Sequence, residues 1–94
     1  MASSEVRRYT LDLRGVQSVA DIHAAARTAF AFPDYYGCNW DAMWDCLCEL
    51  GRGPKEVEIL GYREAAAALG TDIVPFLTLL GEFRQRRGAT FFYR

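Results

Sequence analysis

The sequence predicts an α/β fold, a three-stranded parallel sheet with about four helices. Three observations carry this expectation. Short stretches of strand character, two with clear period-two alternation, occur near the start, the middle and the end of the chain. Between successive stretches lie two segments of helical periodicity. Gly and Pro punctuate the boundaries, and no repeat, linker or low-complexity tract interrupts the series. The order is therefore strand, helix pair, strand, helix pair, strand. Strands separated by helices pair in parallel through right-handed crossovers.

The first strand is Val6 to Leu13, with Tyr9, Leu11 and Leu13 on one face and Thr10 and Asp12 on the other. Ser18 followed by Asp21 resembles a capping box with a short acid and opens the first helix. Val19, Ile22, Ala26 and Ala29 share its inner face, and Pro33 stops it. Asp34 to Cys38 reads as a loop around Gly37. Asn39 is a good N-cap for a second helix reaching about Leu50, after which Gly51, Gly53 and Pro54 break the chain.

Val57 and Ile59 mark the second strand. Tyr62 to Leu69 is Ala-rich and helical, and Gly70 ends it. Asp72 is placed to cap a fourth helix whose first turn holds Pro75. Ile73, Phe76, Leu77, Leu80 and Phe83 form the apolar face of that helix. Arg84, Arg86 and Arg87 complement the dipole of its last turn, and Gly88 closes it. Thr90 to Tyr93 is the third strand.

Composition narrows the function. The chain has 94 residues, 51% of them hydrophobic and 24% charged, which suits one globular domain spanning residues 1–94. Eleven Lys and Arg against twelve Asp and Glu give a net charge of −1, without the basic excess of a general nucleic-acid binder. Ten of the eleven cations are Arg and only Lys55 is Lys, a bias given no weight at this level. The opening MASSEVRRYT has no apolar targeting core, and no apolar run approaches 18 residues. No membrane partner and a cytoplasmic location are expected.

Cys38, Cys46 and Cys48 are odd in number and clustered, which is no disulfide framework. With a distant His23 they make no recognisable metal pattern, so no metal or cofactor is called for. Reduced thiols used as small packing residues are expected. His23 sits between Ile22 and Ala24 on the first helix and reads as a surface or boundary residue. An enzyme is disfavoured, because Asp41 and Asp45 on adjacent turns of one helix make poor opposing jaws.

The second helix carries the most information. On a helical wheel Met43, Cys46, Leu47 and Leu50 form one arc, with Ala42 at its edge. Trp40 and Trp44 widen it to roughly 200°, against the 100° or so of an ordinary core face. Beside the indoles lie Asp41, Asp45 and Glu49 at i, i+4, i+8. From Ala31 to Leu50 there are four acids and no Lys or Arg. One reading is a docking face, with indoles, unpaired carboxylates and the loop residues Tyr35 and Tyr36 suited to a cationic partner. The other is that both Trp are core and the acids a solvated face. The residues by themselves leave both open.

The stretch Phe32 to Leu47, FPDYYGCNWDAMWDCL, closely resembles the signature of the barstar family, intracellular inhibitors of an extracellular bacterial guanyl-specific ribonuclease. The resemblance implies a barstar-like fold over about Tyr9 to Tyr93 and a one-to-one complex of monomeric inhibitor with ribonuclease. It implies that Asp45 takes the place of the substrate phosphate among the enzyme's catalytic Arg and His side chains. By the same implication Asp41 meets enzyme cations and Tyr35 packs on the catalytic histidine. Gly37, Asn39 and Trp44 match further contact positions.

Glu82 matches an acid on the last helix if a one-residue change precedes the final strand. Trp40 stands where the family has a smaller aliphatic contact residue, pointing to a different ribonuclease. Cys38 replaces an acid. The alternative to ribonuclease inhibition is a barstar-like domain that binds another basic protein.

Overall fold

The computed structural model describes residues 6–51 and 53–94. Its elements in chain order are β1 (Arg7–Asp12), α1 (Val19–Phe30), α2 (Trp40–Cys48), β2 (Lys55–Leu60), α3 (Tyr62–Leu69), α4 (Val74–Arg87) and β3 (Ala89–Tyr93). The three strands form one parallel sheet in the order β1-β2-β3. Tyr9 pairs with Val57 and Val57 with Phe91, so aromatic and β-branched side chains line up on one face. This is the expected α/β architecture.

Because both crossovers step in the same direction across the sheet, right-handed connections place both helix pairs on the same side. Burial agrees. Leu11, Val57, Ile59 and Ala89 are buried, while Arg8, Thr10, Asp12, Thr90 and Phe92, on the opposite face, are exposed. All-parallel sheets are usually covered on both faces. Here the open face carries a charge ladder instead. Arg8 pairs with Glu56 at 2.9 Å and Arg94 with Glu58 at 3.2 Å, and the Arg94 guanidinium lies 5.5 Å from the Phe92 ring centroid.

Local signals acted largely as the chain's chemistry requires. The Ser18 side chain accepts from Asp21 N–H at 3.2 Å, and the Asp21 carboxylate accepts from Gln17 N–H at 2.9 Å. That is a capping box displaced by one residue. Helix α1 ends when Ala31 turns left-handed at φ 54°, two residues before Pro33. The entry to α4 departs from expectation. Asp72 caps nothing. It lies in a 3₁₀ turn, Gly70–Ile73, that joins α3 to α4 without a break.

The buried residues of α4 are Phe76, Leu79, Leu80 and Phe83, so Leu79 joins the inner face while Leu77 is half-buried. The joined stretch Tyr62–Arg87 is 26 residues long with a window of mean hydropathy 1.3, enough by length and composition to cross a membrane. The core uses many of those apolar residues, packing Ala65, Ile73, Phe76, Leu79, Leu80 and Phe83 in one cluster with the sheet and α2.

Candidate docking face

Helix α2 is fixed at both ends. At its start Asn39 is extended and its side-chain oxygen accepts from Ala42 N–H at 2.7 Å. Its last turn contains no cation of its own. Two strand residues supply what is missing. Arg7 of β1 donates to Leu50 O at 3.1 Å, and Lys55 of β2 donates to Gly51 O at 2.5 Å and Gly53 O at 2.7 Å. Cations just beyond a helix C-terminus complement its dipole, and here they also hold carbonyls of the loop that follows it. Lys55 is 1% exposed. Burial, with Arg7 and Arg87 nearby, pushes its pKa down.

Met43, Cys46 and Leu47 turn inward. Asp41 and Asp45 are exposed, and Trp40 and Trp44 are half-buried between those two faces. The wide apolar arc thus serves both readings of the sequence. Its centre is core, and its indole flank reaches the surface. Among the described residues no Lys or Arg side chain lies within 4 Å of the carboxylates of Asp41, Asp45 or Glu49.

The loop before α2 divides its two tyrosines. Tyr35 is 79% exposed. Tyr36 is buried, so it does not belong to the surface beside the indoles as the sequence suggested. The backbone turns here, Tyr36 N–H donating to Pro33 O at 3.0 Å, with Tyr35 left outside and Tyr36 inside. The Tyr36 hydroxyl is hydrogen-bonded to Nδ1 of His23, and its ring packs on Phe32 with centroids 4.9 Å apart. Burial raises the Tyr36 pKa.

His23 is likewise a buried residue and not a boundary one. Its ring lies 4.5 Å from the Trp40 indole, which in turn faces Phe76 at 6.0 Å. Burial lowers the His23 pKa. The interior therefore supports the exposed loop and the first turn of α2 through one polar contact and a stack of rings.

A shallow groove runs between α2 and α4. Trp40, Asp41 and Trp44 form one wall, and Thr78, Glu82 and Arg86 the other. Glu82 is half-exposed and paired with Arg86, Nε to Oε1 at 2.9 Å. The structure thus brings Trp40, Asp41, Trp44 and Glu82 to one groove, with Asp45 one turn further along α2. Tyr35, Gly37 and Asn39 lie just before the helix. A Cβ at Gly37 would sit 3.3 Å from Asn39 Nδ2, so the tight approach suits glycine.

Gly81, beside Glu82, faces open space. The thiols do not share one role. Cys46 is buried, with its pKa raised by that burial and by Glu49 and Asp45, whereas Cys38 is exposed at φ 53°. Cys48 is half-buried, so Cys38 is the thiol that departs from the expected packing role.

The sequence pattern of the family described as Barstar (barnase inhibitor) matches residues 6–93. A curated protein of Bacillus subtilis (strain 168), the candidate ribonuclease inhibitor YrdF, is 40% identical over 42 residues. That match covers 45% of this chain and 46% of the relative, so less than half of either length is compared. The family match instead spans every strand and helix described above, including the loop and helix that build the acidic, aromatic face. On that extent, this chain belongs to the barstar family.

Proposed function

We propose that this chain inhibits a secreted guanyl-specific ribonuclease of bacterial origin, in the cytoplasm, by seating its acidic and aromatic face in the enzyme's active site. The observation that carries the reading is the exposure of Asp41 and Asp45 beside half-buried indoles, with no described cation within 4 Å. A ribonuclease active site is a cationic pocket built for a phosphodiester. Carboxylates on a rigid helix occupy such a pocket and offer no ester to cleave. Asp45 takes the phosphate position and Asp41 meets a neighbouring cation.

Tyr35, Trp40 and Trp44 surround these charges and exclude water, and in that drier setting each charge pair is stronger. Gly37 and Asn39 shape the loop that delivers Tyr35. Glu82 adds a carboxylate on the α4 wall that is already paired with Arg86. Opposite fields on the two partners speed their encounter, as is established for barnase and barstar themselves.

The test is co-elution of the purified chain with the secreted guanyl-specific ribonuclease of the same organism, barnase run beside it, as a one-to-one complex, together with loss of RNA cleavage. Competition by a guanosine nucleotide for the complex distinguishes active-site blockade from docking elsewhere. Binding that nucleotide leaves untouched would favour a basic partner recognised through another surface.

A further inference from the structure

We propose that Arg86 is a selectivity residue, a cation built into the docking face that competes with the partner's cations for Glu82. The proposal rests on the reading that this face receives a cationic partner. It starts from an asymmetry between the two walls of the groove. The α2 wall offers Asp41, with Asp45 beyond it, and no described Lys or Arg lies within 4 Å of either. The α4 wall offers Glu82 already engaged, its Oε1 2.9 Å from Arg86 Nε one helical turn away.

Both partners of that pair are accessible, with side chains 67% and 45% exposed for Arg86 and Glu82. The pair therefore opens at small cost, as exposed i, i+4 pairs do. An incoming guanidinium that reaches Glu82 has to displace Arg86. One that stops short still meets a like charge across the groove. The face is thereby split. Its α2 half takes cations freely, and its α4 half favours a partner that presents a neutral or acidic group there. Repulsive elements of this kind separate right from wrong partners as effectively as attractive ones. The fitting ribonuclease concentrates its cations against α2 and carries no Lys or Arg opposite the second half of α4.

The experiment compares wild type, Arg86→Gln, Glu82→Gln and the double variant against two probes, barnase and a hexa-arginine peptide. Binding is followed by association kinetics and by the Glu82 side-chain carboxyl resonance. Arg86→Gln is expected to tighten both probes about two- to five-fold, the equivalent of one exposed ion pair. Most of the gain with barnase should appear in the association rate. In the Glu82→Gln background the gain should vanish. Hexa-arginine binding that Arg86→Gln leaves unchanged or weakens overturns the proposal, as does an equal gain without Glu82. Because the peptide needs no ribonuclease, it decides the role of Arg86 even where barnase is not bound. A wild-type chain that binds the peptide at this face while neither barnase nor any other secreted guanyl-specific ribonuclease displaces it counts against the ribonuclease reading instead.

Discussion

The Lys55 ammonium reaches the main-chain carbonyl of Arg87, the last residue of α4, at 3.3 Å. The same Nζ holds Gly51 O and Gly53 O beyond the end of α2, and lies 5.8 Å from the Phe83 ring centroid. One buried charge thus ties together the C-terminal ends of the two helices that wall the groove. Three converging carbonyls use all three ammonium donors. Lys55→Met should cost about 1–3 kcal/mol, because carbonyls without partners remain behind. Urea unfolding measures it, and a variant as stable as wild type would show that the contacts do not matter.

Asp45→Ala should weaken ribonuclease inhibition more than any other single truncation on the face, by about 2–5 kcal/mol, because partner cations are left buried and unpaired. Its melting temperature should hold or rise slightly, since a like-charge neighbour of Asp41 and Glu49 is removed. Inhibition constants for Asp41→Ala, Asp45→Ala, Glu82→Ala and Tyr35→Ala rank the contributions. Normal inhibition by a well-folded Asp45→Ala protein contradicts the proposed placement.

The adjacent tyrosines should behave oppositely. Tyr35→Ala changes an exposed side chain and should leave stability within about 0.5 kcal/mol while weakening binding. Tyr36→Phe strips the hydroxyl from His23 Nδ1 in the interior and should cost about 1–3 kcal/mol. Thermal melts of the two variants, run side by side, decide this.

His23 sets a pH dependence with a definite sign. Its folded pKa lies below the ordinary 6.5 because burial disfavours the imidazolium. Above pH 6.5 both folded and unfolded chains hold it neutral. As pH falls from 6.5 toward the depressed folded value, the unfolded chain binds the proton first and stability drops, levelling off below that value. His23→Gln should flatten this segment of the stability–pH curve. Chemical denaturation at pH 7.5, 6.5, 5.5 and 4.5 is the measurement, and an unchanged slope in the variant would assign it to other groups.

Gly81→Ala should stabilise the chain by about 0.5–1 kcal/mol. Gly81 sits inside α4 without a positive φ, and a Cβ there meets nothing within 4 Å. By contrast Gly61→Ala should destabilise, because at φ 73° its Cβ would fall 2.9 Å from Arg14 N. Paired melts check both signs.

Element order and parallel pairing were legible because Gly, Pro and N-cap residues mark nearly every boundary. The exposure of Asp41 and Asp45 was legible too, since carboxylates at i, i+4 with no nearby cation in sequence have little reason to be inside. His23 was misread because its helix neighbours say nothing of Tyr36 and Trp40, which reach it only after the loop folds back. Asp72 was misassigned because a 3₁₀ turn carried the chain directly into α4, leaving no cap to fill. Lys55 was invisible for a different reason. Buried lysines are exceptions, and its acceptors are carbonyls that leave no trace in a sequence. Its one signal was its singularity among ten arginines. A compact ammonium fits three convergent oxygens where a planar guanidinium does not.

The strand order has a consequence for synthesis. Arg8 and its sheet neighbour Glu56 are 48 residues apart, and β3 follows both of the other strands in chain order. No strand has a local partner to wait with, so no sheet forms until the chain has grown past Leu60. Such non-local pairing makes folding slower than that of a helical bundle, because long-range closures come before their reward. Helix α2 is made early, but its facing wall α4 and the Lys55–Arg87 contact arrive only once the chain has grown past residue 87. The groove is therefore a late product, absent from every nascent chain that stops short of α4.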